Sequence, residues 1–297
     1  MIDKIKKSRK WQLIILVILI VIASLAYWYF SANPVLPQLA IHFLDEVKLP
    51  EAGETVLVFS PHPDDETIAC GGYLNESLKR GAQVYIVLVT DGNNRNLRDL
   101  RYLEFEQATG ILGVAKGNLT YLDYPDSRLS MVNPTFLQQT LEEQIARYQP
   151  DILLYPHPND THKDHSTLGK ITEKILQELK EKAEVLEHLE GYEELVKEEV
   201  LEELVTIKQI TKKIINYKYL VHHNYFPHPK KYAPELYVLP PLDLITTGGG
   251  WEKFLLSPEN KSMKEKALNA YSSQLRNPLL KNLLRASIRE NELFAVD

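Results

Sequence analysis

The chain has 297 residues, of which 44% are hydrophobic and 25% are charged, as in folded globular proteins and unlike disordered or fibrous ones. The single cysteine, Cys70, excludes an internal disulfide and a metal site built from several cysteines. The net charge is −6, and the ten N-terminal residues hold five of the 34 basic side chains. The remaining chain is more acidic still. This argues against nucleic acid as a partner, because phosphate contacts need clustered bases.

Residues 1–10 form a basic tail, and residues 11–30 form an uncharged, strongly apolar run. A helix of about 20 residues spans about 30 Å, the thickness of a bilayer core. The sequence therefore predicts a single-pass transmembrane anchor in the cell membrane over 11–30. The positive-inside rule places the tail in the cytoplasm and the catalytic domain on the extracytoplasmic side. A cleaved signal peptide is the alternative, although its apolar core is usually only about 7–15 residues long.

Residues 31–54 are expected to form a linker and lead-in, and residues 55–297 one domain. Short apolar runs predict buried strands, at 55–60, 82–90, 119–122 and 151–155. Longer segments with amphipathic spacing predict intervening helices, at 73–80, 98–112 and 134–148. This alternation predicts an α/β fold with a Rossmann-like, mostly parallel sheet and helices on both faces. Residues 171–218 are rich in Lys, Glu and Leu, and predict a charged helical insertion.

Polar clusters follow three of the predicted strands, at 61–66, 91–95 and 156–165. In parallel sheets, sites are built at the carboxyl ends of strands. His62 and Asp65 lie three residues apart, and His162 and His165 repeat that spacing. Histidine and carboxylate are natural zinc ligands, and a catalytic zinc takes about three of them plus a water. We expect a hydrolase in which zinc acidifies its water and a carboxylate removes the proton. Fe²⁺ could use the same ligands.

Four motifs follow one another between residues 55 and 170: Pro-His-Pro-Asp-Asp-Glu at 61–66, Thr-Asp-Gly at 90–92, Arg-x-x-Glu-x-x-x-Ala at 101–108 and His-Lys-Asp-His at 162–165. In this order they resemble the signature of the PIG-L/LmbE-like zinc-dependent N-deacetylases. The resemblance continues more weakly beyond residue 170, through Tyr271-Ser-Ser-Gln274 among other segments.

The resemblance implies a set of zinc ligands: His62, Asp65 and His165. It further implies that Asp64 is the general base for the zinc-bound water. His162 would be the general acid, or would stabilise the tetrahedral intermediate. Asp164 would orient a histidine from behind.

Substrate contacts are also implied. Arg101 and Asp126 match positions where the family contacts sugar hydroxyls, although a helix-surface ion pair explains Arg101 equally well. Asn93 follows a strand end and could bond a sugar. His222 lies where the family places a late active-site histidine, and an ordinary surface histidine is the alternative.

We therefore expect a membrane-anchored deacetylase of N-acetylglucosamine-type sugars in an envelope glycan, a glycolipid or a small glycoconjugate. The envelope substrate depends on the predicted anchor, since known membrane members of the family face the cytoplasm and the soluble bacterial ones lack an anchor. One alternative is a deacylase of another amide, in a lipid, an antibiotic or a peptide-like molecule. The other is a non-catalytic, membrane-tethered binding module that recruits a partner through 171–218. The sequence does not indicate an oligomeric state.

Overall fold

The computed structural model describes residues 2–32, 35–93, 96–189, 214–245 and 249–296. The strands are β1 (Asp45–Glu46), β2 (Thr55–Ser60), β3 (Gln83–Thr90), β4 (Leu119–Tyr124), β5 (Ile152–Pro156), β6 (Ile215–Tyr219), β7 (Gly250–Leu255) and β8 (Asn291–Val296). The helices are α1 (Ile2–Ala32), α2 (Asp65–Lys79), α3 (Arg98–Leu112), α4 (Pro134–Tyr148), α5 (Lys163–Leu189), α6 (Leu242–Ile245), α7 (Pro258–Ala270), α8 (Ser272–Leu275) and α9 (Pro278–Ala286).

The strands form one sheet in the order β1-β7-β8-β6-β5-β2-β3-β4. Strand β8 runs antiparallel to β6 and β7, and the other neighbouring pairs are parallel. The prediction of an α/β fold with a mostly parallel sheet is confirmed. The central strands are apolar at successive positions because both of their faces are covered.

Alternate residues of β2 enter two separate cores, as the period of two in a strand requires. Val56 and Val58 face a core that α2, α3 and α7 cover, and Cys70 lies buried in that core. Leu57 and Phe59 face the opposite core, which α4 and α5 cover. The helices thus hold the sheet from both sides and fix where its strand ends lie.

The chain reverses its direction of travel across the sheet between β2 and β5. From β2 it proceeds outward through β3 to β4, whereas β5 and β6 lie on the other side of β2. The loops that follow β2 and β5 therefore diverge and leave a crevice at their carboxyl ends. The polar clusters at 61–66 and 156–165 meet in this crevice.

Two segments differ from the prediction. The lead-in 31–54 contains β1, which pairs with β7, and two residues carry too little pattern to predict a strand. Within the predicted helical insertion 171–218, α5 extends to Leu189, and 190–213 lie outside the described residues. Residues 215–219 form β6 instead, because alternating buried aromatics, Tyr217 and Tyr219, favour a strand against β5.

The N-terminal prediction also requires correction. Helix α1 contains the apolar run, yet among the residues that the structure describes no helix is long and apolar enough to cross a membrane. The predicted transmembrane helix and cell-membrane location are therefore withdrawn.

Candidate functional site

The loop after β2 is held by the buried carboxylate of Glu66. Its oxygens accept hydrogen bonds from the Ser60 hydroxyl at 3.1 Å, the Asp64 amide at 3.2 Å, the Thr67 hydroxyl and the Tyr271 hydroxyl. Burial raises the pKa of Glu66. Asp64 adopts φ = 130°, a conformation that L residues rarely adopt and that costs on the order of 1–3 kcal/mol. Such strain clusters at functional sites, and here it turns Asp64 and Asp65 in different directions.

Three candidate ligand atoms converge at the start of α2 and α5. His62 Nδ1 lies 3.1 Å from Asp65 Oδ2 and 3.2 Å from His165 Nε2, and the latter two atoms lie 3.0 Å apart. Ligands of a tetrahedral zinc, about 2.0–2.1 Å from the ion, lie about 3.3 Å from one another. The three atoms could therefore hold one such cation with little movement.

Two further histidines lie beside this triangle. Groups that could hold a metal ion also include His162 with His62 and His165, and His222 with Asp65 and His165. The rings of His162 and His62 meet edge to face, with centroids 4.7 Å apart. Burial, together with the neighbouring imidazoles, lowers the pKa of His162, and it lowers the pKa of His222 to about 4.

Two carboxylates lie near the second ring nitrogen of His62, the one that is not part of the triangle. His62 Nε2 lies 3.2 Å from Asp164 Oδ2 and 3.4 Å from Asp126 Oδ1. Asp164 in turn accepts hydrogen bonds from the amides of Ser127 and Leu129, at 2.7 and 3.0 Å. A carboxylate in this position fixes the tautomer and the ring orientation of a metal-binding histidine. The orienting role that the resemblance implies for Asp164 would thus act on His62.

The charges of these histidines and carboxylates shift one another's pKa values. Burial would lower the pKa of His62, but Asp126, Asp164 and Asp65 raise it well above its ordinary value. The pKa of His165 rises to about 9, because Asp65 and Asp160 outweigh burial. Burial would raise the pKa of Asp65, but His165 and His62 hold it well below its usual range. Protons on these imidazoles therefore balance charge that a bound cation would otherwise balance.

Arg101 joins three parts of the cleft. Its guanidinium donates to the Pro63 carbonyl at 2.9 Å and the Gly92 carbonyl at 3.1 Å, and it lies 3.3 Å from Asp126 Oδ2. Arg101 is buried but lines the cleft. Burial raises the pKa of Asp64 to about 8 against the opposing charge of Arg101. Arg101, and any bound cation, favour the ionised form of Asp64.

A cleft with a cavity volume of about 170 Å³ opens beside the candidate ligands. Its lining contains six predicted site residues in addition to Asp65: His62, Asp64, Arg101, Asp126, His162 and His222. Ser127 also lines it. The lining further includes Ser273, Gln274 and Asn277, together with four aliphatic side chains: Ile68, Leu97, Leu280 and Leu283.

Glu104 holds the segment that carries Ser273. Its carboxylate accepts hydrogen bonds from the Ser272 hydroxyl at 2.7 Å and from the amide and hydroxyl of Ser273, at 2.7 and 2.6 Å. Sequence reasoning did not assign Ser273, Gln274 or Asn277 to the site. The signal in the sequence is the Tyr271-Ser-Ser-Gln274 segment, to which the resemblance extends weakly.

Asn93, a predicted substrate contact, is absent from the described lining of the cleft. Its side chain accepts a hydrogen bond from the Arg98 amide, at the start of α3, at 3.4 Å. The neighbouring Asn94 and Arg95 lie outside the described residues. Sequence reasoning assigned no role to Asp160, which contacts the segments of three site histidines.

Comparison with known proteins places these features in a family. The PIG-L model, described as GlcNAc-PI de-N-acetylase, matches residues 57–176. A probable N-acetyl-alpha-D-glucosaminyl L-malate deacetylase of Bacillus anthracis is 25% identical, over 42% of this chain and 61% of its own length. A diacetylchitobiose deacetylase of Thermococcus kodakarensis is 32% identical, over 38% of this chain and 46% of its own length. The chain thus spans about half the length of these curated relatives.

Solved structures share the fold. An N,N'-diacetylchitobiose deacetylase from Pyrococcus horikoshii superposes with a TM-score of 0.50 at 19% identity, over 82% of this chain and 84% of its own. A conserved protein from Thermus thermophilus gives a TM-score of 0.50 at 20% identity, over 78% and 84% of the two chains. Residues 57–176 therefore match the PIG-L family domain, and this match, together with the relatives named as deacetylases, supports a PIG-L/LmbE-like deacetylase family.

Proposed function

We propose that this protein is a metal-dependent N-deacetylase that removes acetyl from an N-acetylglucosamine-type sugar. The observation that carries the proposal is the triangle of His62 Nδ1, Asp65 Oδ2 and His165 Nε2, with sides of 3.0–3.2 Å and the carboxyl of Asp64 in the same cleft. Two imidazoles and one carboxylate suit Zn²⁺, and Fe²⁺ is the second candidate. When bound, the ion would supply a Lewis acid that acidifies water and polarises an amide carbonyl.

Asp64 is the proposed general base. It is a buried carboxyl that lines the cleft beside the candidate ligands, and Arg101 Nη2 lies 3.5 Å from its Oδ2. Asp64 would take a proton from the attacking water. Arg101 favours the ionised carboxylate that this step requires.

His162 is the proposed general acid. It lines the cleft, and its ring lies edge to face against His62. Its lowered pKa makes its protonated form a strong donor towards the leaving amine nitrogen, which the cleavage of an amide requires. The same N–H could stabilise the tetrahedral intermediate. Asp164 would act through His62, by holding its ring.

An amino sugar is the proposed substrate because two of the relatives are named for N-acetylated glucosamine compounds, a malate conjugate and diacetylchitobiose. Arg101 and Asp126 line the cleft and offer charged groups for sugar hydroxyls. Three leucines in the lining of the cleft, Leu97, Leu280 and Leu283, favour a conjugate or glycolipid that carries an apolar group beside the sugar. An amide in a lipid or an antibiotic is the second candidate on the same observation.

A substrate panel tests the proposal. The zinc-loaded full chain would be assayed for acetate release from diacetylchitobiose, from N-acetylglucosamine glycosides, and from N-acetylated amino acids of similar size. We expect release from the sugars and little from the amino acids. Release from the amino acids alone would move the function to another amide, and release from none of them would contradict deacetylation of this class.

A further inference from the structure

Asp160 is a fully buried carboxylate in the loop between β5 and α5. Its Oδ1 accepts a hydrogen bond from the amide of His162 at 2.8 Å. Its Oδ2 accepts from the amides of Val221 and His222, at 3.1 and 2.9 Å. One side chain therefore holds the backbone of two cleft histidines that lie 60 residues apart in sequence.

Thr161 joins the same two segments independently of the Asp160 carboxylate. The amide and the hydroxyl of Thr161 donate to the carbonyl of His222, at 2.8 and 2.9 Å. The loop and the segment after β6 are thus joined by hydrogen bonds in both directions: each segment donates to the other. A variant at Thr161 can weaken this tie without removing the charge of Asp160.

Asp160 also faces the ring of His165. His165 Nε2 belongs to the triangle of candidate ligands, so Nδ1, on the far side of the ring, carries the proton when Nε2 binds a cation. Asp160 Oδ2 lies 3.3 Å from this Nδ1, at ion-pair distance but without the alignment of a hydrogen bond. No second carboxylate in the described part of the chain lies within ion-pair distance of that nitrogen.

We propose that Asp160 is a positioning residue that fixes the Nδ1–H tautomer and the ring orientation of His165, and holds His162 and His222 against the metal centre. The assignment rests on the proposed function, because it presupposes that His165 binds a cation through Nε2. Its chemistry is that of a carboxylate behind a metal-binding histidine, and loss of such a carboxylate typically weakens metal binding about 10–100-fold.

Asp160→Asn is the direct test, because it keeps the size of the side chain and removes its charge. Backbone amides donate to both oxygens of the carboxylate, so an asparagine amide in either orientation sets its NH₂ against a donor. Asp151→Asn is the matched control. Asp151 lies directly before the amino end of β5, at the other end of the strand from Asp160. It accepts a hydrogen bond from the Thr55 amide at 2.9 Å. Thr161→Val tests the tie between the two segments alone.

Zinc affinity of the full chain would be measured by competition with a chelating dye. We expect Asp160→Asn to bind Zn²⁺ about 10–100-fold more weakly, and Asp151→Asn and Thr161→Val to bind it as the unaltered protein does. Unchanged affinity in Asp160→Asn would overturn the assignment. An equal loss in Thr161→Val would also overturn it, because the backbone tie would then explain the effect.

A second measurement needs no variant, should Asp160→Asn fail to fold. In the zinc-loaded unaltered protein, proton NMR should show the proton of His165 on Nδ1 and slow to exchange with water, because the buried Asp160 carboxylate faces it. A rapidly exchanging Nδ1–H would overturn the assignment. Zinc binding without acetate release would contradict the proposed function alone, and absence of zinc binding would contradict both.

Discussion

Arg101 Nη2 lies 3.5 Å from Asp64 Oδ2, and this contact joins a buried guanidinium to the proposed general base. Arg101 also donates to Pro63 and Gly92, so it holds the loops after β2 and β3 together around that carboxylate. Arg101 thereby holds the backbone next to the strained Asp64, whose side chain lines the cleft.

Asp64→Asn should abolish most of the activity while leaving the metal site intact. Asparagine keeps the shape but cannot accept the proton of the attacking water, and loss of a general base typically costs about 10²–10⁴-fold in rate. We expect that loss in kcat, with zinc affinity retained. Asp123→Asn is the control, since Asp123 is a half-exposed aspartate that pairs with Arg98 outside the cleft. Full activity in Asp64→Asn would remove Asp64 from the mechanism and bring the binding-module alternative forward.

Zinc binding should release protons and weaken as the pH falls. In the metal-free protein, neighbouring carboxylates raise the pKa of His165 to about 9 and that of His62 well above its ordinary value. At neutral pH these imidazoles hold protons that the cation must displace. Calorimetric titrations in two buffers of different ionisation enthalpy should therefore differ in apparent enthalpy. Identical enthalpies in both buffers would show that the ion binds elsewhere.

Gly92→Ala should destabilise the fold. Gly92 has φ = 56°, and an added Cβ would lie 2.8 Å from the ring of Pro63 in the loop that carries His62. We expect a loss of about 1–3 kcal/mol in the free energy of unfolding, measured by denaturant titration. Gly110→Ala is the control, because its added Cβ meets nothing within 4 Å and it lies inside α3. That change should stabilise by about 0.4–1 kcal/mol, and a loss equal to that of Gly92→Ala would contradict the steric account.

Lys264→Met should lower the free energy of unfolding by more than the loss of a surface ion pair does. Lys264 Nζ lies 2.7 Å from Glu292 Oε1, and both side chains are 1% exposed. Removing one partner leaves a buried charge and typically costs about 3–5 kcal/mol. Lys116→Met, which breaks the exposed pair with Glu106, should cost less than about 1 kcal/mol. Similar unfolding midpoints for the two variants would contradict the argument from burial.

Leu280→Asn should reduce binding of substrates that carry an apolar group. Leu280 lines the cleft, and burial of a leucine side chain contributes about 1.5–3 kcal/mol. We expect KM for an alkyl N-acetylglucosaminide to rise about tenfold, with KM for the short methyl glycoside little changed. Leu279→Asn is the control, since its side chain is 80% exposed and lies outside the lining. Equal effects on both glycosides would argue against an apolar subsite.

The sequence predicted the central strands and the candidate ligands, because both depend on residues that lie close together along the chain. The buried strands read as continuous apolar runs, and His62, Asp65 and His165 follow two of those strands at a spacing typical of ligands. The carboxyl ends of neighbouring parallel strands lie at the same edge of a sheet, so the convergence of these three residues could be expected. The position of Asp164 behind His62 could not, because it depends on the side-chain geometry of two loops.

The features that sequence reasoning missed depend on contacts between distant segments. Ser273 enters the cleft because Glu104 holds it, and neither residue has a pattern that reveals the other. In the sequence, nothing distinguishes Asp160 from the other acidic residues of its loop. Its contact with the amide of His222 exists only in the folded chain. Strand β6 was taken for helix because it follows a Lys/Glu-rich segment, and its pairing with β5 decides its conformation.

The most direct test of the central claim is the metal content of the purified full chain, with acetate release from diacetylchitobiose measured on the same samples. The account predicts about one zinc or iron per chain. His165→Ala should lose both the metal and the acetate release while remaining folded by circular dichroism. A folded, unaltered protein that takes up neither metal and releases no acetate would contradict it.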